Sequence, residues 1–300
     1  MSTQTRSDLP SLLWPGLHAL FGAEYAKHPK EYTRIFDVRS SDKAYEKIAE
    51  LTGLGLAAVK AEGASIQYDK PGQGPETQFT HVTYGLGTVI TREAVEDNQY
   101  KDLSENQTKA LTWSMWTTKE IVHANILNRA TNASYVGGDG VALGSASHPT
   151  ANGTQSNLLT AADLSEASLE DAMTVIMAAK NSRGLPVAIR PVRLIVSPGQ
   201  IFNATRILST DGRVGTADND VNAIKALGMV PEIVVNHYLD DLDAWYIQTN
   251  VPNGLISFQR RALDMEKDSD FDTENIKNKA TERYSAGWGD FRALYVNLGA

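Results

Sequence analysis

The chain has 300 residues, of which 42% are hydrophobic and 21% charged, with no cysteine and a formal net charge of −8. This composition is that of a globular protein with a sizeable core, and it excludes a disordered or collagen-like chain. The lack of cysteine excludes disulfides, thiolate metal sites and cysteine nucleophiles. The acidic charge argues against tight nucleic-acid binding, which needs a basic surface for phosphate contacts, and the longest basic cluster is only Arg260-Arg261.

No apolar run reaches the roughly 18 residues that a membrane span needs. The polar start from Met1 to Arg6 shows no secretory signal. We therefore predict a soluble protein that is made in a cytoplasm and does not enter a membrane.

Residues 1–36 are rich in apolar and aromatic side chains but contain Pro10, Pro15 and Pro29, which interrupt any long helix. A short helix from about Pro15 to Lys27 is compatible with these prolines. Four apolar side chains of this segment have little local structure to pack on: Trp14, Leu17, Leu20 and Phe21. Two interpretations stay open, a helix on the subunit's own core and an arm on a neighbouring subunit.

Residues 37–100 have the composition of extended structure. The runs AEGASIQYDK (61–70) and ETQFTHVTYG (76–85) are rich in strand formers, and residues 71–75 between them, PGQGP, have the residues of a turn. The pattern predicts a long hairpin with its tip at residues 71–75. Since a hairpin is marginal in isolation, it needs a partner surface, either on its own body or on another subunit.

The clearest helix is predicted over residues 104–131. Ser104 and Gln107 have the spacing of a capping box. Five following residues share one helix face, namely Leu111, Met115, Thr118, Val122 and Ile126. Such a helix is roughly 40 Å long, which indicates a spine that other elements cover.

The remaining chain divides into three parts. Residues 136–158 form a predicted loop rich in Gly, Ser and Asn, which marks a boundary between lobes. Residues 160–254 alternate helical and strand patterns and predict a compact α/β lobe. Residues 255–300 predict a meander of three strands, LISFQRRAL, KATERYSAG and FRALYVNL, of which the last two are joined by a turn at residues 287–290.

Three stretches resemble one known family. They are residues 168–208 (a helix, then G-x-P, then the strand L-I-V-x-P, then a helix ending in A-x-x-I-L), residues 79–98 and residues 283–299. In this order they resemble the major capsid (major head) proteins of tailed bacteriophages, which have the Hong Kong 97-type fold. Within that family the chain is most similar to the Mu-like major head subunits.

The resemblance implies an α+β fold with an N-terminal arm, an extended β-hairpin loop, a peripheral domain with a long spine helix, and an α/β axial domain. Carried onto this chain, residues 1–36 are the arm and residues 37–95 the extended loop. Residues 96–135 and 255–300 make the peripheral domain, and residues 136–254 the axial domain.

The implied function is structural. The subunit would assemble with itself into pentamers and hexamers and form the icosahedral head of a virion in the bacterial host cytoplasm. It would enclose double-stranded DNA without sequence-specific binding, and it would be neither an enzyme nor a cofactor protein. The implied partners are a portal, a decoration protein and a scaffolding protein, which we expect to be separate because the chain begins almost at the arm.

We expect the assembly contacts at the arm and at the hairpin tip, because both lack enough local core. The expected contact residues are Trp14, Leu17, Leu20 and Phe21 in the arm, and Lys70, Pro71, Gly72, Gln73, Gly74 and Pro75 in the tip. Some relatives cross-link a lysine of the extended loop to an asparagine. Lys70 lies near the tip, but nothing in the sequence places an asparagine opposite it.

An acidic run offers a weak metal site. Asp268, Asp270 and Asp272 have the spacing that begins a calcium loop, but Thr273 stands where glycine is needed and Lys279 where glutamate is needed. We therefore expect a solvated acidic connection here.

Three alternatives to a phage shell remain. One is an encapsulin-like nanocompartment shell, and another is a small-molecule binding module built on residues 160–254. The third is a metal-dependent enzyme that uses His237 and residues 240–243, although this cluster is more typical of a polar loop. A phosphate loop at residues 137–140 and a hydrolase triad are both disfavoured by their spacing. The side chains that such a triad would need are Asp139, Ser145, Ser147 and His148.

Overall fold

The computed structural model describes residues 19–93, 100–212, 220–229, 231–269 and 274–300. The helices are α1 (19–27), α2 (Tyr32–Ile35), α3 (Tyr100–Asn128), α4 (Glu166–Met177), α5 (Ile201–Ser209) and α6 (Ala223–Ala226). The strands are β1 (Asp37–Ser40), β2 (Tyr45–Leu51), β3 (Gln73–Thr80), β4 (Val82–Ile90), β5 (His148–Thr150), β6 (Gly153–Gln155), β7 (Pro191–Val196), β8 (Glu232–Val235), β9 (Trp245–Thr249), β10 (Leu255–Ser269), β11 (Ile276–Trp288) and β12 (Leu294–Asn297).

The first sheet has the strand order β1-β10-β11-β4. Its centre is the long antiparallel pair β10 and β11, which confirms two of the predicted C-terminal strands. Helix α3 packs on one face of this sheet, where Leu111 and Met115 contact Met265 and Ala280. The long helix therefore lies along the first sheet as a spine.

The second sheet has the order β12-β9-β7-β8, and both of its faces are buried. Alternate side chains of β7 point to opposite faces, as the pleat requires. Leu194 packs in one core cluster with helices α4 and α5, and Ile195 packs in the other with Leu127 of the spine helix. The second sheet is thus the middle layer that joins the α/β lobe to the rest of the subunit.

Strand β12 does not continue the C-terminal meander that the sequence predicts. It pairs with β9 in the second sheet, and all four of its residues are buried. A short 3₁₀ turn, in which the Asp290 carboxylate accepts the backbone N–H of Arg292, redirects the chain after β11. Leu294, Tyr295 and Val296 have side chains that favour burial, so the strand is more stable in a sheet that is buried on both faces than in a half-exposed sheet, which explains the difference.

The hairpin exists, and its second predicted run, residues 76–85, falls on β3 and β4, but the first predicted strand and the tip are wrong. β2 pairs with β3, whereas residues 61–70 form no strand and are all exposed. The predicted turn residues 73–75 begin β3, so the tip is the segment 52–72. The base of the hairpin is held on the first sheet by Phe79, whose ring meets Phe258 edge-on at 5.2 Å. Residues 61–70 lack any such apolar support, so their strand propensity has no surface to act on.

The spine helix begins at Tyr100, four residues before the predicted start. Ser104 is therefore inside the helix and not at the N-cap position that the sequence analysis predicted. Gln107 Oε1 is buried without a hydrogen-bond partner among the described atoms. The capping motif was misread because its spacing also occurs within helices.

The buried face of the spine helix is more polar than predicted. Thr118, Val122 and Ile126 are only half-buried, while Lys119, Glu120 and His123 are buried. The helix was predicted from its apolar spacing, and such spacing cannot reveal buried charges that have partners.

The buried cation of the spine helix is paired with the first sheet. Lys119 Nζ donates to Glu282 Oε1 at 2.5 Å and to Gln259 Oε1 at 2.6 Å. Next to it, His123 Nδ1 lies 2.7 Å from the Lys119 carbonyl oxygen, and its Nε2 lies 2.8 Å from Ser257 Oγ. Because the carbonyl can only accept, Nδ1 carries the ring proton. Burial lowers the pKa of His123 to about 4, so the ring is neutral at pH 7.

A buried carboxylate holds the end of the arm. Glu120 accepts the backbone N–H groups of Glu31 and Tyr32, each at 3.0 Å. These donors belong to the start of α2, where backbone N–H groups have no partner within the helix. Burial raises the pKa of Glu120 to about 7.

Arg292 anchors the tip-side end of β2 to the α/β lobe of residues 160–254, which together with residues 290–297 we call the second lobe. Arg292 is a buried residue, only 5% exposed. Its guanidinium donates to Asp290 Oδ1 at 3.0 Å and to the Lys180 carbonyl at 3.3 Å. It also donates to Ser182 Oγ at 3.0 Å and to Glu50 Oε1 of β2 at 2.5 Å. One buried cation therefore ties three segments together.

We expect the Glu120 and His123 pKa shifts to produce opposite pH dependences of the unfolding free energy. The pKa of His123 falls from 6.5 to about 4 on folding, so the unfolding free energy decreases as the pH falls through this range. The pKa of Glu120 rises from 4.5 to about 7, so its contribution is lost as pH rises through that range.

Urea unfolding of the unassembled subunit between pH 4 and 7.5 separates the two effects. In Glu120→Gln the free energy should rise with pH, by about 3 kcal/mol in total from His123. In His123→Gln it should fall with pH. Identical slopes in both variants and the wild type would contradict this assignment.

We expect Arg292→Ala to lower the unfolding free energy by about 3 kcal/mol, because it leaves the Glu50 and Asp290 carboxylates without their cation. Urea unfolding measures this loss. Arg190→Ala is the matched control, since Arg190 is exposed, and its effect should stay within about 0.5 kcal/mol. An equal effect of the two substitutions would show that the network does not anchor the hairpin.

Candidate functional site

The tip of the hairpin exposes an unusual number of large apolar side chains. Val59 is 100% exposed and Tyr68 is 95% exposed. The other exposed apolar side chains of this segment are Leu54, Leu56 and Ile66. Single exposed apolar residues are ordinary, but a cluster on one projecting loop marks an interaction surface. The sequence analysis missed these residues because it assigned Ile66 and Tyr68 to a strand and placed the tip at residues 71–75.

The predicted tip contacts lie at the base of this segment. Lys70, Pro71 and Gly72 are exposed where the tip returns to the hairpin, and Gln73, Gly74 and Pro75 are part of β3. A Cβ added at Gly74 would lie 2.9 Å from Glu50 Oε2, so this position needs glycine for strand pairing. The six residues therefore support the tip, and the exposed apolar surface lies beyond them.

The predicted arm contacts divide into two groups. Trp14 and Leu17 lie outside the described residues. Leu20 is half-buried, and Phe21 is 4% exposed, packed in a cluster with Leu111 of the spine helix. The structure thus uses Phe21 within its own subunit, as the first of the two sequence interpretations expects.

His237 belongs to an arm contact and not to an aspartate cluster. Its Nδ1 lies 2.5 Å from Glu31 Oε1, and its backbone N–H donates to Glu31 Oε2 at 3.0 Å. In the neighbouring loop, Asp241 Oδ1 accepts the backbone N–H of Asp243 at 3.0 Å. These partners are those of a polar loop, which the sequence analysis favoured over a metal-dependent active site.

The described part of the acidic run is the end of strand β10. Asp268 Oδ1 accepts the backbone N–H of Ser269 at 2.8 Å, and Glu266 pairs with Lys279 at 2.7 Å. Asp270 and Asp272 lie outside the described residues. Across the parts of the chain that the structure describes, no group of three His, Cys, Asp or Glu side chains could hold a metal ion.

The structure brings His148 and Asp139 together, but without a nucleophile. His148 Nδ1 lies 2.6 Å from Asp139 Oδ2, and Nε2 lies 3.0 Å from Asn157 Oδ1 where a triad needs a hydroxyl. The ring is fully buried and stacks on Phe291 with centroids 3.9 Å apart. Ser145 Oγ instead accepts the Ser147 N–H at 3.2 Å. These contacts hold the boundary loop of residues 136–158 against Phe291.

Asn157 is an important residue that the sequence analysis missed. Its Nδ2 donates to the carbonyls of Leu143, Phe291 and Leu294 at 2.6–3.0 Å, and its Oδ1 accepts the Ser145 N–H. A lone asparagine in a Gly/Ser/Asn-rich loop carries no signal of this role, because its partners are far away in sequence.

The described helices include none with the length and apolar character of a membrane span.

The chain was compared with known families and structures. A family model described as phage capsid protein matches residues 75–297, well over half of the chain. No curated protein sequence matches significantly. The family match includes the stretches 79–98 and 168–208 and most of 283–299, on which the resemblance was based, and it does not distinguish Mu-like subunits from others.

Several solved structures have a similar fold. A Mycobacterium phage Adephagia structure gives a TM-score of 0.56 at 10% identity, with 91% of each chain covered. The mature capsid of bacteriophage PhiM1 gives 0.54 at 12% identity, covering 88% of this chain and 85% of that chain. A virus-like particle from Pyrococcus furiosus gives 0.52 at 11% identity, covering 94% and 98%.

Such low identities show a shared fold alone, whereas the family match rests on the sequence itself. The chain belongs to the phage capsid protein family and has the Hong Kong 97-type capsid fold.

Proposed function

We propose that this chain is a major capsid subunit whose hairpin tip binds the next copy, so that pentamers and hexamers form and close into an icosahedral head. The observation that carries the proposal is the exposed apolar surface on residues 54–68 of the tip. Burial of one large apolar side chain stabilises a contact by about 1.5–3 kcal/mol. Covering several of them offsets the loss of translational and rotational freedom that association costs.

A head-to-tail contact of this kind produces rings. The tip and the surface that receives it are different parts of the subunit, so each copy can bind one neighbour and be bound by another. Such heterologous contacts close into rings when the rotation per subunit divides a full turn. Slightly different rotations then allow five or six copies of the same subunit.

The acidic charge suits a container wall. With a net charge of −8, the shell repels packed double-stranded DNA instead of binding it with sequence specificity. The subunit thus has a structural role in the virion and no catalytic one, consistent with its family. An encapsulin-like compartment is not favoured, because the family that the sequence matches is that of phage capsids.

Further partners follow from this role. A separate scaffolding protein would guide assembly in the bacterial host cytoplasm, a portal would occupy one vertex, and a decoration protein would bind the outer surface. The assignment of the chain to the Mu-like subgroup also stays a prediction.

We expect a polar tip to abolish assembly. The variant Leu56→Ser, Val59→Ser, Ile66→Ser, Tyr68→Ser keeps the loop length but removes its apolar surface, so the subunit should fold normally and stay unassembled. Sedimentation velocity and negative-stain microscopy, with a scaffold protein added if the wild type needs one, measure rings and shells. The double variant Lys60→Ser, Glu62→Ser is the matched control in the same loop and should assemble. Normal assembly of the polar tip would refute the proposed contact.

The arm can be tested in the same assay. We expect Trp14→Ala, Leu17→Ala to weaken assembly while leaving the unfolding free energy unchanged, because these side chains are proposed to contact a neighbour. Phe21→Ala is the contrasting variant. It should destabilise the subunit itself by about 3–5 kcal/mol, since Phe21 is part of its core. If Trp14 and Leu17 can be replaced without loss of assembly, the arm has no intersubunit role.

A further inference from the structure

Hydrogen bonds join the two sides of the tip where it leaves the strands of the hairpin. Thr52 donates its backbone N–H to the Gly72 carbonyl at 3.0 Å, and the Gly72 N–H donates to Thr52 Oγ1 at 3.0 Å. One step further out, Asp69 Oδ2 accepts the Gly55 N–H at 2.8 Å. We call residues 52–55 and 69–72 the neck, and residues 56–68 beyond it the outer loop.

One side chain of the second lobe reaches the neck. Arg183 Nη1 donates to Asp69 Oδ2 at 2.5 Å, and Nη2 donates to the Lys70 carbonyl at 2.8 Å. The guanidinium thereby contacts two adjacent residues, and its planar fork sets the orientation of the neck as well as its position.

The turn that carries Arg183 is itself held in place. Asn181 Oδ1 accepts the backbone N–H groups of Arg183 and Leu185, each at 2.9 Å. Gly184 has φ +83°, a conformation that glycine adopts without strain. Lys180 and Pro186 pair across the turn. The neck is therefore attached to a rigid support.

The Asp69 carboxylate is suited to pair with the Arg183 guanidinium. Hydrogen bonds from the Gly55 and Lys70 N–H groups, together with the Arg183 guanidinium, hold the pKa of this carboxyl below its usual range. The carboxylate is thus charged at neutral pH, and it connects both sides of the neck to Arg183.

The contact orients the outer loop without covering it. Val59 and Tyr68 remain almost fully exposed although the neck is clamped. An autoinhibitory contact would bury these side chains against the second lobe, and this contact does not. What the clamp does is restrict the neck before association, and this lowers the conformational entropy that a partner must otherwise overcome.

We propose that Arg183 is a positioning residue for assembly, which clamps the neck so that the outer loop 56–68 is presented to a second copy of this chain. The proposal rests on the proposed function of the tip. Arg183 contacts no neighbour in this role. It acts through Asp69 and the Lys70 carbonyl.

The expected effects differ from those of a merely structural residue. The Arg183 side chain is 24% exposed and that of Asp69 is 48% exposed. Ion pairs this accessible contribute little to the stability of a folded chain. Removal of Arg183 should therefore leave the unfolding free energy nearly unchanged, while it loosens the neck and weakens assembly.

The experiment uses the full chain and four variants. Arg183→Ala removes the clamp, Arg183→Lys keeps the charge without the fork, and Asp69→Asn keeps a neck acceptor without the charge. Arg190→Ala removes an exposed arginine near the same turn and is the control. Hydrogen exchange reports on the Gly55 and Lys70 amides, urea unfolding on stability, and sedimentation on the concentration at which shells form.

We expect Arg183→Ala to raise the assembly threshold about tenfold, with faster exchange at the neck and unchanged stability. Arg183→Lys and Asp69→Asn should be intermediate, and Arg190→Ala should match the wild type.

An unchanged threshold in Arg183→Ala, while the wild type forms shells, would overturn this inference and leave the proposed function intact. A marked loss of subunit stability in all three clamp variants would also overturn it, since Arg183 would then be structural. A wild type that stays monomeric even with a scaffold protein would overturn both.

Discussion

The hairpin can present an apolar tip because a buried guanidinium holds the end of the ribbon from which the tip begins. Arg292 binds Glu50 of β2, Ser182 and Asp290. A two-stranded ribbon alone is marginally stable in water. Phe79 fixes the base of this ribbon on the first sheet, and Arg292 fixes its tip-side end. The exposed apolar surface of the tip thus depends on a polar network directly beside it.

Polar contacts also attach the arm. The start of α2 is capped by Glu120 of the spine helix, and Glu31 binds His237 of the second lobe. Apolar packing adds to this, with Phe21 on the spine helix. Burial raises the pKa of Glu120, so the contribution of this carboxyl to the unfolding free energy depends on pH.

The fold is retained at low sequence identity because the requirements on most positions are loose. A buried strand such as β12 needs apolar side chains of about the right size, and many sequences satisfy this need. The specific features of this chain are the polar clusters at its junctions: Asn157 with three carbonyls, His148 with Asp139, and Arg292 with two carboxylates. The Asn157 and Arg292 clusters join segments that are distant in the chain, whereas the contact between His148 and Asp139 lies within the boundary loop. These clusters fix how the hairpin, the boundary loop and the second lobe are arranged.

The sequence by itself determined the spine helix, the α/β lobe, the strands β10 and β11, the existence of a hairpin and the family, because these depend on local periodicity, turn residues and characteristic stretches. It misplaced the tip, since strand propensity forms a strand only where a supporting surface exists. It also misplaced the start of the spine helix, since the spacing of a capping box occurs within helices as well. Only the tertiary structure decided that β12 joins the second sheet and that Arg183, Asn157 and Arg292 hold the junctions. The reason is that the partners of these residues are distant in sequence and adjacent in space only after folding.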